Sequence, residues 1–312
     1  MHRPAIVRSV EEHAPVAPGR ATAPIVARWL GRVAYRDAWA LQRALVGLRQ
    51  AGAIPDQLLL LEHDPVITLG HRAAETHVIA PPAVLAERGV EVVRVERGGE
   101  VTYHGPGQLV AYPIVDLVAR HLGVRAFVGA LEEAMADACR EAGVAAGPRP
   151  GHPGCWCDPR GPLPRKIGAL GIRVSRGVTF HGIALNVAVD LADFGLIDPC
   201  GMPGLASTSI ARERGGPDAR VGVAAVARTG AAAEASAVAR TAAVASAAAG
   251  FAPALVRRLG AELAGHLPPE ADPAEERRAV EAIAWAGAAG PRRSDTATVA
   301  VAAAAGMAHR GS

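Results

Sequence analysis

The chain of 312 residues has a mass of 32.0 kDa, which one large or two small domains would account for. Half of the residues are hydrophobic but only 4% are aromatic, so the core must be built mainly from aliphatic side chains. The net charge is only +3, which argues against nucleic acid as a partner, because nucleic-acid-binding proteins usually carry a clustered basic stripe.

Residues 1–24 are rich in proline and show no hydrophobic periodicity, which predicts a disordered segment. Glu11 and Glu12 lie where a signal peptide would have its apolar core, so no signal peptide is expected. The longest charge-free stretch of the alanine-rich region, residues 241–256, is too short and too weakly apolar to span a bilayer. Four cysteines are too few for a disulfide framework. These features predict a cytoplasmic protein with no membrane partner.

Hydrophobic spacing predicts a helix that begins at Val33 and ends at Gly52. The next predicted elements are strands, at residues 58–61, 65–70, 90–95 and 109–117. Pro113 cannot donate a backbone hydrogen bond, so the last of these is expected to be an edge strand or a strand end. A second helix is predicted at residues 125–142, with Cys139 on its buried face and Gly143 as its cap.

The second half of the chain combines strands with low-complexity sequence. Residues 147–164 contain six prolines and are predicted to form a surface loop. Strands follow at residues 167–174 and 182–189, joined by a hairpin turn at Arg176 and Gly177. Alanine then dominates, with 15 of the 30 residues in 221–250. The pattern predicts a disordered insert at 213–250, a helix at 251–265 and a disordered tail at 266–312.

Two residue types occur only once. Lys166 is the one lysine beside 32 arginines, and Asn186 is the one asparagine. A compositional bias that replaces lysine by arginine would spare a lysine that must gain and lose a proton, because guanidinium stays charged whereas a lysine pKa shifts readily. Lys166 is therefore a candidate catalytic residue, although chance survival is the alternative.

Cys200 lies between Pro199 and Gly201, in a predicted tight turn of a cytosolic protein. It is either an incidental cysteine or a nucleophile whose thiolate a nearby cation stabilises. Lys166 carries the only side-chain ammonium, and the strand that follows it could bring it to Cys200. The pair Cys155 and Cys157 lacks a second pair of zinc ligands, so two incidental thiols in a loop are the preferred interpretation.

Residues 97–108 read Arg-Gly-Gly-Glu-Val-Thr-Tyr-His-Gly-Pro-Gly-Gln. Four glycines within twelve residues let a backbone approach a ligand closely. The stretch is neither a P-loop nor a dinucleotide fingerprint, since both spacings are absent. Its His104, or His181 further along, is a possible partner for Cys200, although a histidine in such a loop more often serves as a hydrogen-bonding scaffold.

Four ordered stretches resemble the octanoyltransferases, the lipoyl(octanoyl) transferases of lipoate biosynthesis. They are residues 62–70, residues 97–108, residues 165–173 around the single lysine, and residues 180–187 followed by Pro199-Cys200-Gly201. The similarity covers roughly residues 25–212, which are predicted to form the catalytic domain, and the helix at 251–265 resembles the last helix of the family. The resemblance implies an α/β fold shared with biotin and lipoate ligases, with mixed sheets flanked by helices.

The resemblance also implies a reaction. An octanoyl group would pass from octanoyl-acyl carrier protein to a thioester on Cys200, and from there to a lysine of a lipoyl domain. The acceptors would be the lipoyl domains of 2-oxo acid dehydrogenases and the glycine cleavage H protein, and no cofactor or metal would be needed. Lys166 would stabilise the Cys200 thiolate and move the protons. The substrate-binding residues implied are Arg97, Gly98, Gly99, Glu100, Val101, Thr102, Tyr103, His104, Ala169, Leu170, Gly171, Gly182, Ile183 and Ala184.

Three alternatives remain open from the sequence. An ATP-dependent lipoate or biotin ligase of the same fold should not need Cys200. A Cys–His hydrolase would use His104 or His181 and release a free acid. A non-catalytic protein that binds acyl carrier protein would not need the pair of Lys166 and Cys200.

Overall fold

The computed structural model describes residues 22–198, 206–215 and 231–288. In chain order the strands are β1 (Thr22–Val33), β2 (Asp56–His63), β3 (Val66–Leu69), β4 (Glu91–Arg94), β5 (Val101–His104), β6 (Gln108–Ile114), β7 (Gly147–Arg149), β8 (His152–Cys157), β9 (Arg165–Ser175), β10 (Val178–Asn186), β11 (Ala206–Ser207) and β12 (Ala261–Ala264). The α-helices are α1 (Tyr35–Gln50), α2 (Pro82–Glu87), α3 (Val124–Glu141), α4 (Ile210–Glu213), α5 (Ala231–Arg258) and α6 (Pro273–Ala288). Two short 3-10 helices lie at Glu75–His77 and Leu191–Leu196.

A mixed sheet of nine strands organises the molecule. Its order is β12-β1-β2-β6-β10-β9-β8-β7, and β11 pairs with β9 beside this path. The strand pairs β1–β2 and β1–β12 are parallel, whereas β2–β6, β6–β10 and β10–β9 are antiparallel. A second, three-stranded sheet has the order β4-β3-β5.

Helices cover both faces of the main sheet. Along β2, Leu58 and Leu60 pack in the cluster that contains residues of α3 and α5. Leu59 and Leu61 point to the opposite face and join the cluster formed with α1 and α6. Side chains alternate between the two faces of a strand, so a strand covered on both faces appears as a continuous apolar run. All eight residues of β2 are buried accordingly.

The β9–β10 hairpin has the turn that its sequence predicts. Arg176 and Gly177 both have positive φ, at 44° and 86°. A two-residue turn with positive φ at both positions matches the twist of the flanking strands. The hairpin fixes the register in which Gly171 pairs with Gly182 and Leu170 with Ile183.

The start of the chain differs from the prediction. Residues 22–33 form the long strand β1, and Val33 is its last residue rather than the first residue of a helix. Tyr35 begins α1, so the predicted apolar face of the helix is correct but its start lies two residues later. The disorder predicted for residues 1–24 is wrong for residues 22–24 because they lie in β1, whereas residues 1–21 lie outside the described residues.

Strand β6 lies in the middle of the main sheet, between β2 and β10, so the edge-strand alternative is wrong. The strand-end alternative is correct, because Pro113 is the last residue but one of β6. Pro113 is tolerated because β10 pairs with β6 only from Gln108 to Ala111. Pro113 lies beyond the end of that ladder, where its missing N–H leaves no bond unmade.

Residues 147–164 are not simply a surface loop. They contain β7 and β8, and β8 pairs with β9. Cys155 and Cys157 are fully buried in the cluster beneath α3 and α5, so neither is an exposed loop thiol. The prediction of a loop was based on the prolines. Pro148 is nevertheless compatible with a strand, because it lies on β7, an outer strand of the sheet, where a missing N–H costs little.

The prediction of disorder at 213–250 is wrong for the residues described. Glu213 ends α4, and residues 231–250 form the first part of the 28-residue helix α5. Val244 and Ala248 are fully buried, and a Cβ at Gly250 would lie 2.2 Å from Oε2 of Glu141 on α3. Alanine has the highest helix propensity, and small side chains let two helices approach closely. An alanine-rich helix therefore packs well although each residue buries little.

The carboxyl-terminal part also differs. The helix predicted at 251–265 ends at Arg258, and β12 then pairs in parallel with β1. Residues 273–288 of the predicted disordered tail form α6, whose Val280 and Ala284 are buried against the face that α1 covers. Residues 216–230 and 289–312 lie outside the described part.

One segment among the described residues, Glu234–Arg258 of α5, is long and apolar enough to cross a membrane, with a mean hydropathy of 1.3. This differs from the expectation drawn from residues 241–256. The same criterion is met by core helices of soluble proteins, and Val244, Ala248 and Phe251 of this helix pack in the core.

Candidate active site

A cleft of about 840 Å³, partly open to solvent, lies between the loop that precedes β5 and the middle of the β9–β10 hairpin. Its lining residues are Tyr35, Arg97, Gly99, Glu100, Val101, Thr102, His104, Gln108, Tyr112, Lys166, Ala169, Leu170, Gly171, His181, Gly182, Ile183, Ala184, Asn186, Phe194 and Ser207. Most of the surface is apolar, with a few polar groups at its edge and floor, which is the usual character of a small-molecule site.

Glycines let the wall segments approach one another. Gly98 donates its N–H to the carbonyl oxygen of Ile172 at 3.1 Å, which holds the loop on β9. A Cβ at Gly171 would lie 2.7 Å from the carbonyl oxygen of Gly98, and one at Gly182 would lie 1.9 Å from that of Ala111. These close approaches explain why glycine is needed on both strands of the hairpin.

Arg97 fixes the same loop from inside. Its guanidinium is buried and donates to Thr68 three times, to Oγ1 from Nε at 3.1 Å and from Nη2 at 2.9 Å, and to the backbone carbonyl from Nη2 at 2.8 Å. Nη1 donates to the carbonyl of Gly98 at 2.9 Å. Arg97 thus ties the loop to β3 and places a permanent positive charge at the cleft.

Tyr35, His104, Tyr112 and His181 line the floor, and His63 lies behind it, in ring contact with the first three. Nδ1–H of His63 donates to the carbonyl of Val33, and Nε2 accepts from the hydroxyl of Tyr112, both at 2.7 Å. In the neutral imidazole that carries its proton on Nδ1, Nε2 is the acceptor for the hydroxyl proton of Tyr112. Burial lowers the pKa of His63 to about 4, so the ring remains neutral near neutral pH.

His104 lies beside this pair, stacked on Tyr35 with ring centroids 6.1 Å apart. Its Nδ1–H donates to Oε1 of Gln108 at 2.8 Å. Burial, followed by the neighbouring His63, lowers the pKa of His104 to about 3. The imidazolium form that a Cys–His pair would need is therefore disfavoured.

His181 has a positive φ of 55° within β10, a conformation that L residues rarely adopt. The ring is buried and stacks on the ring of Phe180, with the two centroids 4.9 Å apart. Neither ring nitrogen has a hydrogen-bond partner within the described part of the chain. Burial, with the charge of Arg97 as a second cause, lowers the pKa of His181 to about 3. His181 is thus a neutral lining residue. Like His104, it is a poor base for a thiol, because the imidazolium that would pair with the thiolate is disfavoured.

Lys166 lies near the start of β9, half-buried at the cleft. Its Nζ is 5.1 Å from the ring centroid of Trp156, the residue opposite it on β8. Its backbone carbonyl accepts from Thr208, and Ser207 pairs with it in β11. The chain segment that follows Cys200 therefore returns directly beside Lys166.

Cys200 lies outside the described residues, so its predicted proximity to Lys166 stays a prediction. Both ends of its segment are anchored. On one side, Asp198 donates its N–H to the carbonyl of His77, and on the other, Thr208 contacts both Lys166 and Asn186. The Asn186 side chain donates to the Thr208 carbonyl and accepts from Gln108, both at 2.9 Å.

Thirteen of the sixteen residues proposed from the sequence line this one cleft. Besides Cys200, the exceptions are Gly98, which packs on Ile172, and Tyr103, which points away and donates its hydroxyl to Asp193 at 2.7 Å. The lining residues that were not predicted from the sequence are Tyr35, Gln108, Tyr112, Asn186, Phe194 and Ser207. Asn186 carried a signal, since it is the only asparagine, whereas Tyr35 and Tyr112 have the spacing of ordinary core residues.

The cysteine pair on β8 has a different environment from the one predicted. Cys155 and Cys157 face the core, and burial contributes to raising the pKa of the Cys157 thiol to about 12. The described residues include no group of three or more histidine, cysteine or carboxylate side chains that could hold a metal ion.

The sequence of residues 34–228 matches the family model of the lipoyl protein ligase A/B catalytic domain. The chain belongs to this family. Curated octanoyltransferases are among its relatives, so the resemblance drawn from the four motifs is confirmed and the protein is an acyltransferase.

The relatives include the octanoyltransferase of Acidobacterium capsulatum, 47% identical over 192 residues, which are 59% of this chain and 78% of that protein. The octanoyltransferases of Thiobacillus denitrificans and Chloroflexus aurantiacus are 45% and 47% identical, and the alignments cover 62% and 61% of this chain and 85% of each relative.

Solved structures confirm the fold. A lipoate protein ligase from T. acidophilum with bound lipoic acid has a TM-score of 0.52 at 14% identity, covering 84% of this chain and 94% of that one. A lipoate-protein ligase A bound with ATP has a TM-score of 0.53 at 15% identity, covering 83% and 94%. The predicted α/β fold of the lipoate ligases, with mixed sheets and flanking helices, is correct.

Proposed function

We propose that the protein transfers an octanoyl group from octanoyl-acyl carrier protein to a lysine of a lipoyl domain, through a thioester on Cys200. The observation that carries this proposal is the position of Lys166. The only lysine of the chain lines the same cleft as the glycine-rich loop, and the segment after Cys200 pairs with it.

In the first step the Cys200 thiolate attacks the carbonyl carbon of the donor thioester. A new bond forms between that carbon and the sulfur of Cys200, and the bond to the sulfur of the carrier's phosphopantetheine arm breaks. Lys166, as an ammonium, stabilises the attacking thiolate and gives a proton to the departing thiol. A thioester is a suitable intermediate because it retains the acyl group and still reacts with an amine.

In the second step the amine of the acceptor lysine attacks the acyl carbon. The amide bond forms, the Cys200 thiolate departs, and neutral Lys166 accepts the proton lost by the amine. The enzyme is thereby restored with a thiolate and an ammonium. Arginine would hold the thiolate but could not accept this proton, because its pKa is above about 12.

The cleft suits a straight acyl chain. Ala169, Leu170 and Ile183 supply apolar wall, and Gly171 and Gly182 line the same cleft without side chains. Burying each methylene contributes about 0.8 kcal/mol, so a chain of eight carbons would account for most of the affinity and set the length limit. Arg97 and His104 lie at the polar side of this wall, where the residues proposed from the motif contact the substrate.

The acceptors in this proposal are lipoyl domains, such as those of 2-oxo acid dehydrogenases and the glycine cleavage H protein. The donor is an acyl carrier protein, and no cofactor, nucleic acid or membrane takes part. We infer a cytoplasmic location, where both protein substrates occur.

The test is the intact mass of the enzyme after incubation with octanoyl-acyl carrier protein and without ATP. We expect one octanoyl group, labile to hydroxylamine, on the peptide that contains Cys200. Cys139, Cys155 and Cys157 are buried and should not be labelled. Cys200→Ser should give no adduct and no transfer to a lipoyl domain. Transfer that needs ATP, an adduct that persists in Cys200→Ser, or free octanoate as the only product would each overturn the proposal.

A further inference from the structure

Lys166 lies against the face of an indole that nothing in the sequence assigned to the site. Trp156 is fully buried, and its Nε1 donates to the carbonyl of His152 at 2.9 Å, which fixes the ring. Trp156 and Lys166 are opposite residues of β8 and β9, and Nζ lies 5.1 Å from the ring centroid. An ammonium within about 6 Å of a ring centroid is attracted by the electron-rich face.

Gly154 leaves space for the side chain of Lys166. Gly154 lies two residues before Trp156 on the same strand, with φ at +121°. A Cβ there would lie 3.0 Å from Cε of Lys166 and 2.4 Å from the carbonyl oxygen of Gly168. The missing side chain therefore leaves the room through which the lysine reaches the indole.

Charged groups surround this contact from three elements. Arg149, from the strand on the other side of β8, has its guanidinium 5.3 Å from the same ring centroid. Glu132 on α3 accepts the N–H of Gly154 at 2.8 Å and interacts with the charge of Lys166. Glu213 on α4 is held by Arg165 and Thr208. The ring thus has a cation from each neighbouring strand, and Glu132 is the carboxylate whose charge couples to Lys166.

We propose that Trp156 is a positioning residue for Lys166, holding the ammonium on its face at the cleft. This inference rests on the proposed function, in which Lys166 serves Cys200. A cation–π contact contributes about 2- to 30-fold to an equilibrium, from exposed to desolvated settings. Loss of the contact would leave Lys166 present but less precisely directed at the cleft, so catalysis would fall without a loss of substrate binding.

The experiment is a double-mutant cycle with Trp156→Phe and Lys166→Ala, in the full chain. Phenylalanine keeps most of the buried volume but has a weaker face. Two rates are measured, alkylation of Cys200 by iodoacetamide and octanoyl transfer to a lipoyl domain. The three described thiols are buried, so alkylation reports on Cys200.

We expect Trp156→Phe to lower both rates by part of the factor of about 2 to 30 that the whole contact contributes, while KM for octanoyl-acyl carrier protein stays the same. In the Lys166→Ala background the same change should have no further effect on alkylation. An equal loss in both backgrounds, or a change confined to KM, would overturn the inference and leave Trp156 a packing residue.

Arg149→Gln is the matched control, because it removes the other cation from the same ring without touching Lys166. It should keep both rates at the wild-type level, and a loss as large as that of Trp156→Phe would contradict the assignment. The two proposals fail separately. If Cys200→Ser still forms acyl-enzyme, the proposed function is wrong. If Cys200 is acylated but the cycle shows no coupling, only the role of Trp156 is wrong.

Discussion

The amide of Asn186 connects two parts of the cleft wall. Its oxygen accepts from Gln108, which also receives the Nδ1–H of His104, and its nitrogen donates to the carbonyl of Thr208. An ionised aspartate only accepts, so it could not replace the donating nitrogen of this amide. The only asparagine of the chain therefore lies where both the donor and the acceptor of its amide are used.

Lys166, the only lysine, is likewise kept where its particular chemistry, proton transfer, is used. Lys166→Arg keeps a positive charge at the cleft, so alkylation of Cys200 should fall only modestly. The acceptor amine has then no base to take its proton, and transfer should fall by a factor on the order of 10²–10⁴. Single-turnover kinetics would show acyl-enzyme accumulating. Transfer at nearly the wild-type rate would mean that Lys166 acts only as a cation.

The buried histidines make stability depend on pH. Unfolded His63 has a pKa near 6.5, whereas burial lowers it to about 4 in the folded protein. The unfolded state therefore binds protons first as the pH falls, and the folded state loses stability between about pH 6.5 and about pH 4. His63 alone should contribute on the order of 3 kcal/mol to this loss.

Urea unfolding at about pH 7 and about pH 4.5 checks this expectation. His63→Gln should reduce the difference in unfolding free energy between the two pH values. His121→Gln is the control, because His121 is exposed and should leave the difference unchanged. A pH dependence that is the same in wild type and His63→Gln would contradict the assignment.

Among the elements, the β9–β10 hairpin has the tightest steric requirement. Gly171 and Gly182 face each other across it, and a Cβ at Gly182 would lie 1.9 Å from the backbone oxygen of Ala111 on β6. Backbone cannot move aside as a flexible side chain can. Gly182→Ala should therefore lower the free energy of unfolding by at least about 1–3 kcal/mol, the range typical of overpacking.

The control is the same substitution where space is free. Gly129 lies within α3, and a Cβ there would meet nothing within 4 Å. Gly129→Ala should raise stability by about 1 kcal/mol, since glycine is the poorer helix former. Thermal unfolding of the two variants should thus move in opposite directions. Similar shifts of the melting temperature in both variants would show that the fold accommodates the added methyl group at Gly182.

The elements also show which parts of the fold a sequence can predict. The hairpin turn at Arg176 and Gly177 and the apolar run of β2 follow from local rules, and both were predicted. The first part of α5, residues 231–250, and strand β8 were not predicted, whereas the helix predicted from residue 251 matches the rest of α5. The stability of α5 depends on close contact with α3 along small residues, and β8 contains proline but lies against β9. Both depend on partners distant in the chain, which periodicity does not reveal.

For the site, the limits are similar. The loop and hairpin residues carry a family motif, and most of them meet at one cleft. Trp156 and Glu132 reach Lys166 only because β8 and α3 are brought against β9 by the sheet. Tyr112, buried at the floor, has the ordinary pattern of a core strand, and its bond to His63 joins residues 49 apart in sequence.

At the scale of the whole molecule, the carboxyl-terminal elements complete the main sheet. Strand β12 extends it beside β1, and α6 covers the face shared with α1. Val280 is fully buried there, and Glu276 forms an ion pair with Arg28 at 2.8 Å. Removing α6 would expose Leu30 and Leu41 and would also remove the buried side chain of Val280. The segment after Gly265 is therefore part of the folded unit.

We therefore expect a chain that ends at Gly265 to be less stable, in contrast to the disorder predicted for residues 266–312. Burial of Val280 alone contributes about 1.5–3 kcal/mol, and the uncovered face and the unpaired Arg28 add to the loss. The melting temperature should fall by on the order of 10 °C. A chain that ends at Ala288 is the control, because it retains every buried residue of α6, and it should melt as the full chain does. If the chain ending at Gly265 also melted at the wild-type temperature, α6 would be dispensable for the fold and the packing of Val280 and Ala284 would contribute little.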